Sequence, residues 1–153
     1  MSVYYRVDDR LIHGQVITSW SKYYDLNSIY IVDDDVAKDP IQTNIIEMVA
    51  PSHLQVDVLN EKEAADKIKD VTGNTLILVK FPETILNLKN NGIEIEEIIL
   101  GGMQFKEGRE KITKSISISQ KQRKELQKLI DNNTEIYVQM IPSEKRRNLK
   151  TLL

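Results

Sequence analysis

Two arginines, two aspartates and one histidine fall within eight residues: Arg6, Asp8, Asp9, Arg10 and His13. An unperturbed imidazole has a pKa near ~6.5, so at neutral pH it is mostly an uncharged nucleophile. A guanidinium such as that of Arg10 binds an oxyanion through two parallel N–H bonds. Each charge-assisted bond of that kind is worth about 1.5–3 kcal/mol. A carboxylate that bonds the second ring nitrogen fixes the tautomer; Asp8 is placed first in that role and Asp9 second. Gly14 lets the backbone approach a bound group without a Cβ in the way. If a helix opens at His13, the backbone amides of Leu11, Ile12, Gly14 and Gln15 and the helix dipole add attraction for an anion, about 0.3–1 kcal/mol for the dipole. Together these parts suit a histidine that carries a phosphoryl group. A surface histidine that merely caps a helix fits the same residues.

The elements around this segment follow from periodicity. Short β-branched runs at 3–7, 28–32, 54–59, 75–80, 95–100 and 135–141 read as strands. Between them, Val16, Ile17, Trp20 and Tyr24 recur at helical spacing over 13–24. Pro40 fits the first turn of a helix whose apolar face is Ile41, Ile45, Ile46 and Val49, and Pro51 stops it. Asn60 with Glu63 reads as a capping box for a helix over 61–69. A short helix over 82–91 ends at Asn91-Gly92, and Ser119 caps another that runs to about Asn132. Residues 112–118 alternate apolar and polar, which predicts a strand at or near a sheet edge. The expected fold is α/β: one domain over 1–153, an open, mostly parallel sheet of about seven strands, helices on both faces. Residues 143–153 read as a basic tail. In such a sheet, ligands bind beyond the carboxyl ends of the strands, which is where the His13 segment falls.

Composition narrows the function classes. Twenty-one Lys and Arg against 23 Asp and Glu leave a net charge of -2, no footprint for nucleic acid. Cysteine is absent, so thiolate chemistry and cysteine metal sites are excluded. No signal peptide or membrane-length apolar run is present, which suits a cytoplasmic protein.

Further candidates carry two readings each. Lys80 either faces the site or is a solvated strand-end lysine. Gly101-Gly102 either approaches the His13 loop or is a tight turn. Asp33-Asp34-Asp35 reads as a cluster at a helix N-terminus, with a divalent cation as the lesser alternative. His53 reads as exposed and inert, Trp20 as core or interface, and Lys145-Arg146-Arg147 as a solvated charge run.

Asp8-Asp9-Arg10-Leu11-Ile12-His13-Gly14-Gln15-Val16 closely resembles the phosphorylation loop of the IIB components of the mannose/fructose/sorbose family of the sugar phosphotransferase system. Ile31-Val32-Asp33-Asp34-Asp35-Val36-Ala37-Lys38-Asp39, the run from Leu76 to Lys80 with Phe81-Pro82, Leu100-Gly101-Gly102-Met103 and Val138-Gln139-Met140-Ile141-Pro142 resemble further segments in order. The resemblance implies that His13 is the phosphoryl acceptor, through Nδ1. It implies a phosphohistidine on IIA as donor and a sugar held by membrane components IIC and IID as recipient. The activity would be that of a protein-phosphohistidine–sugar phosphotransferase, peripheral to a membrane transporter, without metal or organic cofactor. Arg10 would stabilise the transferred group and Arg6 would assist or sit in a salt bridge. The chain begins at the IIB motif, so IIA is expected on a separate protein. A second copy of the chain is a further candidate partner. Two other classes stand beside this one: a regulatory module phosphorylated on His13 without transfer to sugar, and a receiver-like domain phosphorylated on Asp33, Asp34 or Asp35.

Overall fold

The computed structural model describes residues 2–153. In chain order the elements are β1 (Val3–Asp8), α1 (Gly14–Tyr24), β2 (Ser28–Val32), α2 (Asp34–Ala37), α3 (Pro40–Val49), β3 (Gln55–Leu59), α4 (Glu61–Lys69) and β4 (Thr75–Val79). Then come α5 (Pro82–Asn90), β5 (Glu97–Gly102), β6 (Glu110–Lys111), β7 (Ser117–Ile118), α6 (Gln120–Asp131), β8 (Glu135–Val138), β9 (Arg147–Asn148) and a closing 3-10 turn, Leu149–Thr151. Seven strands form one sheet in the order β3-β2-β4-β1-β5-β8-β9. All its pairs are parallel except β8 with β9.

Chain direction places the site. From β1 the chain runs to β2 and β3 on one side, returns through β4, and crosses β1 to reach β5 and β8. The order of strands therefore reverses beside β1, and the loop after β1 opens where such sheets bind ligands. Alternation along the strands feeds two cores. Ile29, Ile31, Leu76 and Leu78 pack under α1, α2 and α3, with Leu11 and Ile12 of the loop among them. Val7, Ile77, Val79, Ile98 and Leu100 pack under α4, α5 and α6.

Caps appear where the sequence placed them, with one change. Asp33 Oδ1 accepts from Val36 N–H at 2.9 Å and so caps α2. Asn60 Oδ1 accepts from Glu63 N–H at 2.8 Å. The full reciprocal capping box belongs to α6, between Ser119 and Gln122.

Three expectations are corrected. The alternating run at 112–118 is not one strand; Thr113 Oγ1 accepts from the amides of Ser115 and Ile116 and turns the chain. Only its last two residues, Ser117–Ile118, are strand; as β7 they pair antiparallel with β6, which precedes the run, in a separate two-stranded sheet. The basic tail is not free: Arg147-Asn148 pairs with β8 as β9, and Leu149 is fully buried. Arg146 bonds Glu97 at 3.0 Å and lies over the Tyr137 ring. Finally, α3 buries only Ile46 of its expected apolar face; Ile41, Ile45 and Val49 are exposed.

Burial pushes the phenols of Tyr5 and Tyr24 up to about 12. A folded-state pKa above the unfolded value of ~10 means stability that is whole below pH ~10 and lost as pH rises toward 12. The denaturant midpoint is expected to hold up to about pH 10 and then fall, in step with late phenolate absorbance. A midpoint unchanged through that window contradicts this account.

Candidate functional site

β1 ends in Asp8, which is fully buried and lies opposite Gly102 across a register shift in the ladder with β5. Beyond it the chain makes a tight turn. Leu11 N–H donates to the Asp8 carbonyl and Asp9 N–H to the Gly102 carbonyl, both at 3.0 Å. Leu11 takes a φ of 56°. For a residue with a Cβ, that left-handed conformation costs on the order of 1–3 kcal/mol. The buried Leu11 and Ile12 side chains hold the turn in place against this strain.

The strained turn aims the Leu11 carbonyl at the His13 ring, 2.9 Å from Nδ1. A carbonyl only accepts, so Nδ1 carries the proton in this pose. Nε2 is buried, has no hydrogen-bond partner, and lies 3.7 Å from Asp8 Oδ2. His13 is also the N-cap residue of α1, yet its side chain makes no capping bond. The first-turn N–H groups of α1 are thus left without a side-chain acceptor. Gly14 has a φ of +44°, and nothing fills the place where its Cβ would be. The result is an open, positively polarised corner beside one imidazole.

Arg10 and Arg6 are tied to this corner through Asp8. Arg10 Nε donates to Asp8 Oδ1 at 3.2 Å, and the Arg10 backbone N–H donates to the same oxygen at 3.1 Å. About a third of the Arg10 side chain, 34%, stays exposed. Arg6 is different. It is buried, its Nη1 and Nη2 donate to the Gln139 and Met140 carbonyls at 2.9 Å, and Nη2 lies 3.6 Å from Asp8 Oδ2. Burial lowers its pKa to about 10, which still leaves it charged at neutral pH. Arg6 therefore acts as the buried brace of Asp8 and of the segment after β8.

The structure separates the two aspartates. Asp9 points away from the ring; its Oδ2 accepts from Gln104 N–H at 2.9 Å and from Arg109 Nη1 at 3.3 Å. It tethers the loop to the segment that follows β5. Gly102 lies against this constellation, where a Cβ would stand 2.9 Å from Arg10 Nη2 and 3.0 Å from Asp8 Oδ1. A Cβ on Gly101 would fall on the Arg6 guanidinium. Gln15 is exposed on the first turn of α1. Lys80 lines a groove with Arg10, Leu11 and Ile12.

Several partners have no local signature in the sequence. Gln104, Arg109 and Met140 reach the loop only through the fold, Met140 also accepting from Trp20 Nε1 at 2.9 Å through its carbonyl. Trp20 is buried, as expected of a core residue. His53 is exposed but not idle: its Nε2 lies 3.1 Å from the hydroxyl of buried Ser21. Asp34 Oδ1 accepts from Glu61 N–H at 2.8 Å. Among the described residues, no group of three or more His, Asp or Glu is arranged to hold a metal ion. Among them, too, no helix is long and apolar enough to cross a membrane.

Comparison with known proteins agrees with the geometry. Residues 2–153 match the family described as PTS system sorbose subfamily IIB component. The chain is similar, at 31% identity over 97% of its length and 93% of the relative's, to the fructose-specific EIIB component of Bacillus subtilis. It is equally similar, at 31%, to an N-acetylgalactosamine-specific IIB component of Escherichia coli, covering 97% and 96% of the two chains. The mannose-specific EIIAB component of Escherichia coli is 29% identical, and the match spans 47% of that longer protein. The solved IIBSor domain of the sorbose permease from Klebsiella pneumoniae superposes with a TM-score of 0.90 at 27% identity, covering 97% and 94% of the two chains. A further solved chain, described as a phosphoenolpyruvate-dependent phosphotransferase system, reaches a TM-score of 0.94 at 29% identity over 99% and 97%. The chain belongs to the sorbose-subfamily IIB components of the phosphotransferase system, proteins of phosphoryl transfer in sugar uptake.

Proposed function

We propose that His13 takes a phosphoryl group from a phosphohistidine on a IIA protein and passes it to a sugar hydroxyl held by membrane components IIC and IID. One observation carries the reading: an imidazole stands at the uncapped start of α1, beside an arginine that is braced on Asp8 and still partly exposed. In the first step the donor's P–N bond breaks as a P–N bond forms at His13. In the second that bond breaks as the sugar oxygen binds phosphorus, and the hydroxyl proton is released.

The acceptor nitrogen is Nδ1. Nε2 faces a buried carboxylate, and a phosphoryl group there would meet Asp8 anion to anion. For attack from Nδ1 the ring proton moves to Nε2, where Asp8 offsets the positive charge that develops. The ring must also turn away from the Leu11 carbonyl. Arg10 then shares its guanidinium with the phosphoryl oxygens, because phosphoryl transfer depends on positioning and charge neutralisation. This makes the chain a protein-phosphohistidine–sugar phosphotransferase that works in the cytoplasm against a membrane transporter. Equally similar relatives are named for fructose and for N-acetylgalactosamine, so the likeness favours neither sugar.

Phosphorus NMR of the protein labelled from phosphoenolpyruvate through the general phosphotransferase proteins and IIA tests the reading. An acid-labile, base-stable phosphohistidine is expected, discharged by sugar in vesicles that contain IIC and IID. A base-labile adduct would move the site to Asp33, Asp34 or Asp35. A label that persists in the presence of sugar would make the chain a reporter of flux instead.

A further inference from the structure

We infer that Arg109 is a positioning residue for the transfer: through Asp9 it holds the turn that sets Arg10 and His13 against Asp8. This rests on His13 being the acceptor of a IIA phosphoryl group. Asp9 and Arg109 form an ion pair at 3.3 Å, and their side chains are only 5% and 8% exposed. The chemistry at His13 makes no direct use of this pair. Stability does not account for it either, because the desolvation of two charges offsets most of their attraction. What such a pair supplies is a fixed place for the residue that carries the carboxylate.

The bonds at Asp9 run to one segment, the chain after β5. Its N–H donates to the Gly102 carbonyl at 3.0 Å. Its Oδ2 accepts from Gln104 N–H at 2.9 Å, and its Oδ1 from Gln104 Nε2 at 3.3 Å. Arg109 closes that segment on itself. Its Nη1 also donates to the Gln104 carbonyl, and its N–H donates to the Lys106 carbonyl at 3.0 Å. Gly108, with a φ of +86°, makes the turn between them. Asp9 is thus gripped by a closed loop over 104–109, not by one free side chain.

The place of residue 9 matters because of its neighbours in the chain. The peptide that follows it carries the Arg10 N–H, which donates to Asp8 Oδ1 at 3.1 Å; the same oxygen accepts from Arg10 Nε at 3.2 Å. The other oxygen, Oδ2, faces His13 Nε2 at 3.7 Å. A shift of Asp9 therefore moves the Arg10 N–H, and with it the pose in which the Asp8 carboxylate meets guanidinium and imidazole. Next comes Leu11 in its left-handed conformation, with its carbonyl on Nδ1. Leu11 and Ile12 anchor the turn in the core under α1, α2 and α3, and Asp9 anchors it on the β5 side. A displacement of about 1 Å in such a constellation costs about a hundredfold in rate. The bonds of Arg109 go to Asp9 and to its own loop, so its effect on the ring passes through Asp9.

The test measures transfer from phosphorylated IIA by rapid quench, with a urea titration of each variant. R109M removes the clamp, and the rate at saturating donor is expected to fall about tenfold or more. The KM is expected to stay within about twofold of the parent, because the arginine is too buried to meet a partner. R109K is expected to recover the rate to within about threefold, since the pair is made through one nitrogen, Nη1, which a lysine ammonium can replace. D9N/R109M removes both charges, so the urea midpoint is expected to return to the parental value while the rate stays low. If R109M does not fold, this double variant decides the question. Four outcomes overturn the assignment: a folded R109M with the parental rate; a raised KM at an unchanged saturating rate, which makes Arg109 a docking contact; an R109K as slow as R109M; or a rate that returns together with the midpoint in D9N/R109M, which makes the pair purely structural. If the parent itself takes no label from phospho-IIA, the acceptor reading falls and the positioning role with it. If parent and R109M label equally fast, only the positioning role falls.

Discussion

His13→Ala is expected to abolish phosphoryl uptake from IIA while leaving the protein folded. The loss is complete because no other side chain at the corner offers a nucleophilic nitrogen. Arg10 and Lys80 are cations that can hold a phosphoryl group but not carry it. The fold survives because the ring contributes one hydrogen bond, to the Leu11 carbonyl, and no cap to α1. Loss of a single partly exposed bond costs about 1 kcal/mol. The measurement pairs radiolabelling with a denaturation curve. An unlabelled variant with a near-parental midpoint is the expected pair of results. Residual label would point to His53, the other histidine of the chain.

Gly101→Ala is expected to cost about 3 kcal/mol or more of stability, with the reactive corner damaged as a consequence. The added methyl falls on the Arg6 guanidinium. A flexible side chain in solvent would simply swing aside. Arg6 cannot, because it is 2% exposed and bound to the Gln139 and Met140 carbonyls. Overpacking a core costs about 1–3 kcal/mol, and stripping a buried charge of its partners costs about 3–5. Gly102→Ala is expected to cost less: its methyl stands 2.9 Å from Nη2 of the partly exposed Arg10, which can yield, and 3.0 Å from Oδ1 of buried Asp8, a milder approach than the overlap at Gly101. Urea titration of both variants checks the difference. Equal midpoints would mean that Arg6 is not the brace described above.

The loop was legible because its chemistry is written in consecutive residues, Arg6 through Gln15. The strands and helices under it were legible because their apolar periods are strong, as in Thr75–Val79, where every residue is buried. Where the reading slipped, a local competitor won. Ile112, Ile116 and Ile118 alternate like a strand, but the Thr113 hydroxyl bonds the backbone two and three residues on and makes a turn instead. β9 is two residues long, too short to show a period. Ile41, Ile45 and Val49 share a helical face, but the period does not say whether the face meets the core or a partner. The braces of the site were out of reach for another reason. Asp9 meets Arg109 across 100 positions and Arg6 meets Gln139 across 133, and no spacing rule spans such gaps.

The central place of β1 has a consequence for how the protein comes into being on the ribosome. The strand that bears the reactive loop is translated first, yet its neighbours are residues 75–79 and 97–102, and its arginine is anchored at 139–140. Closing such long spans is slow, and it waits for the far end of the chain. A chain cut short before residue 139 therefore carries the motif without the corner, and on the proposed function it is expected to take no label from phosphorylated IIA.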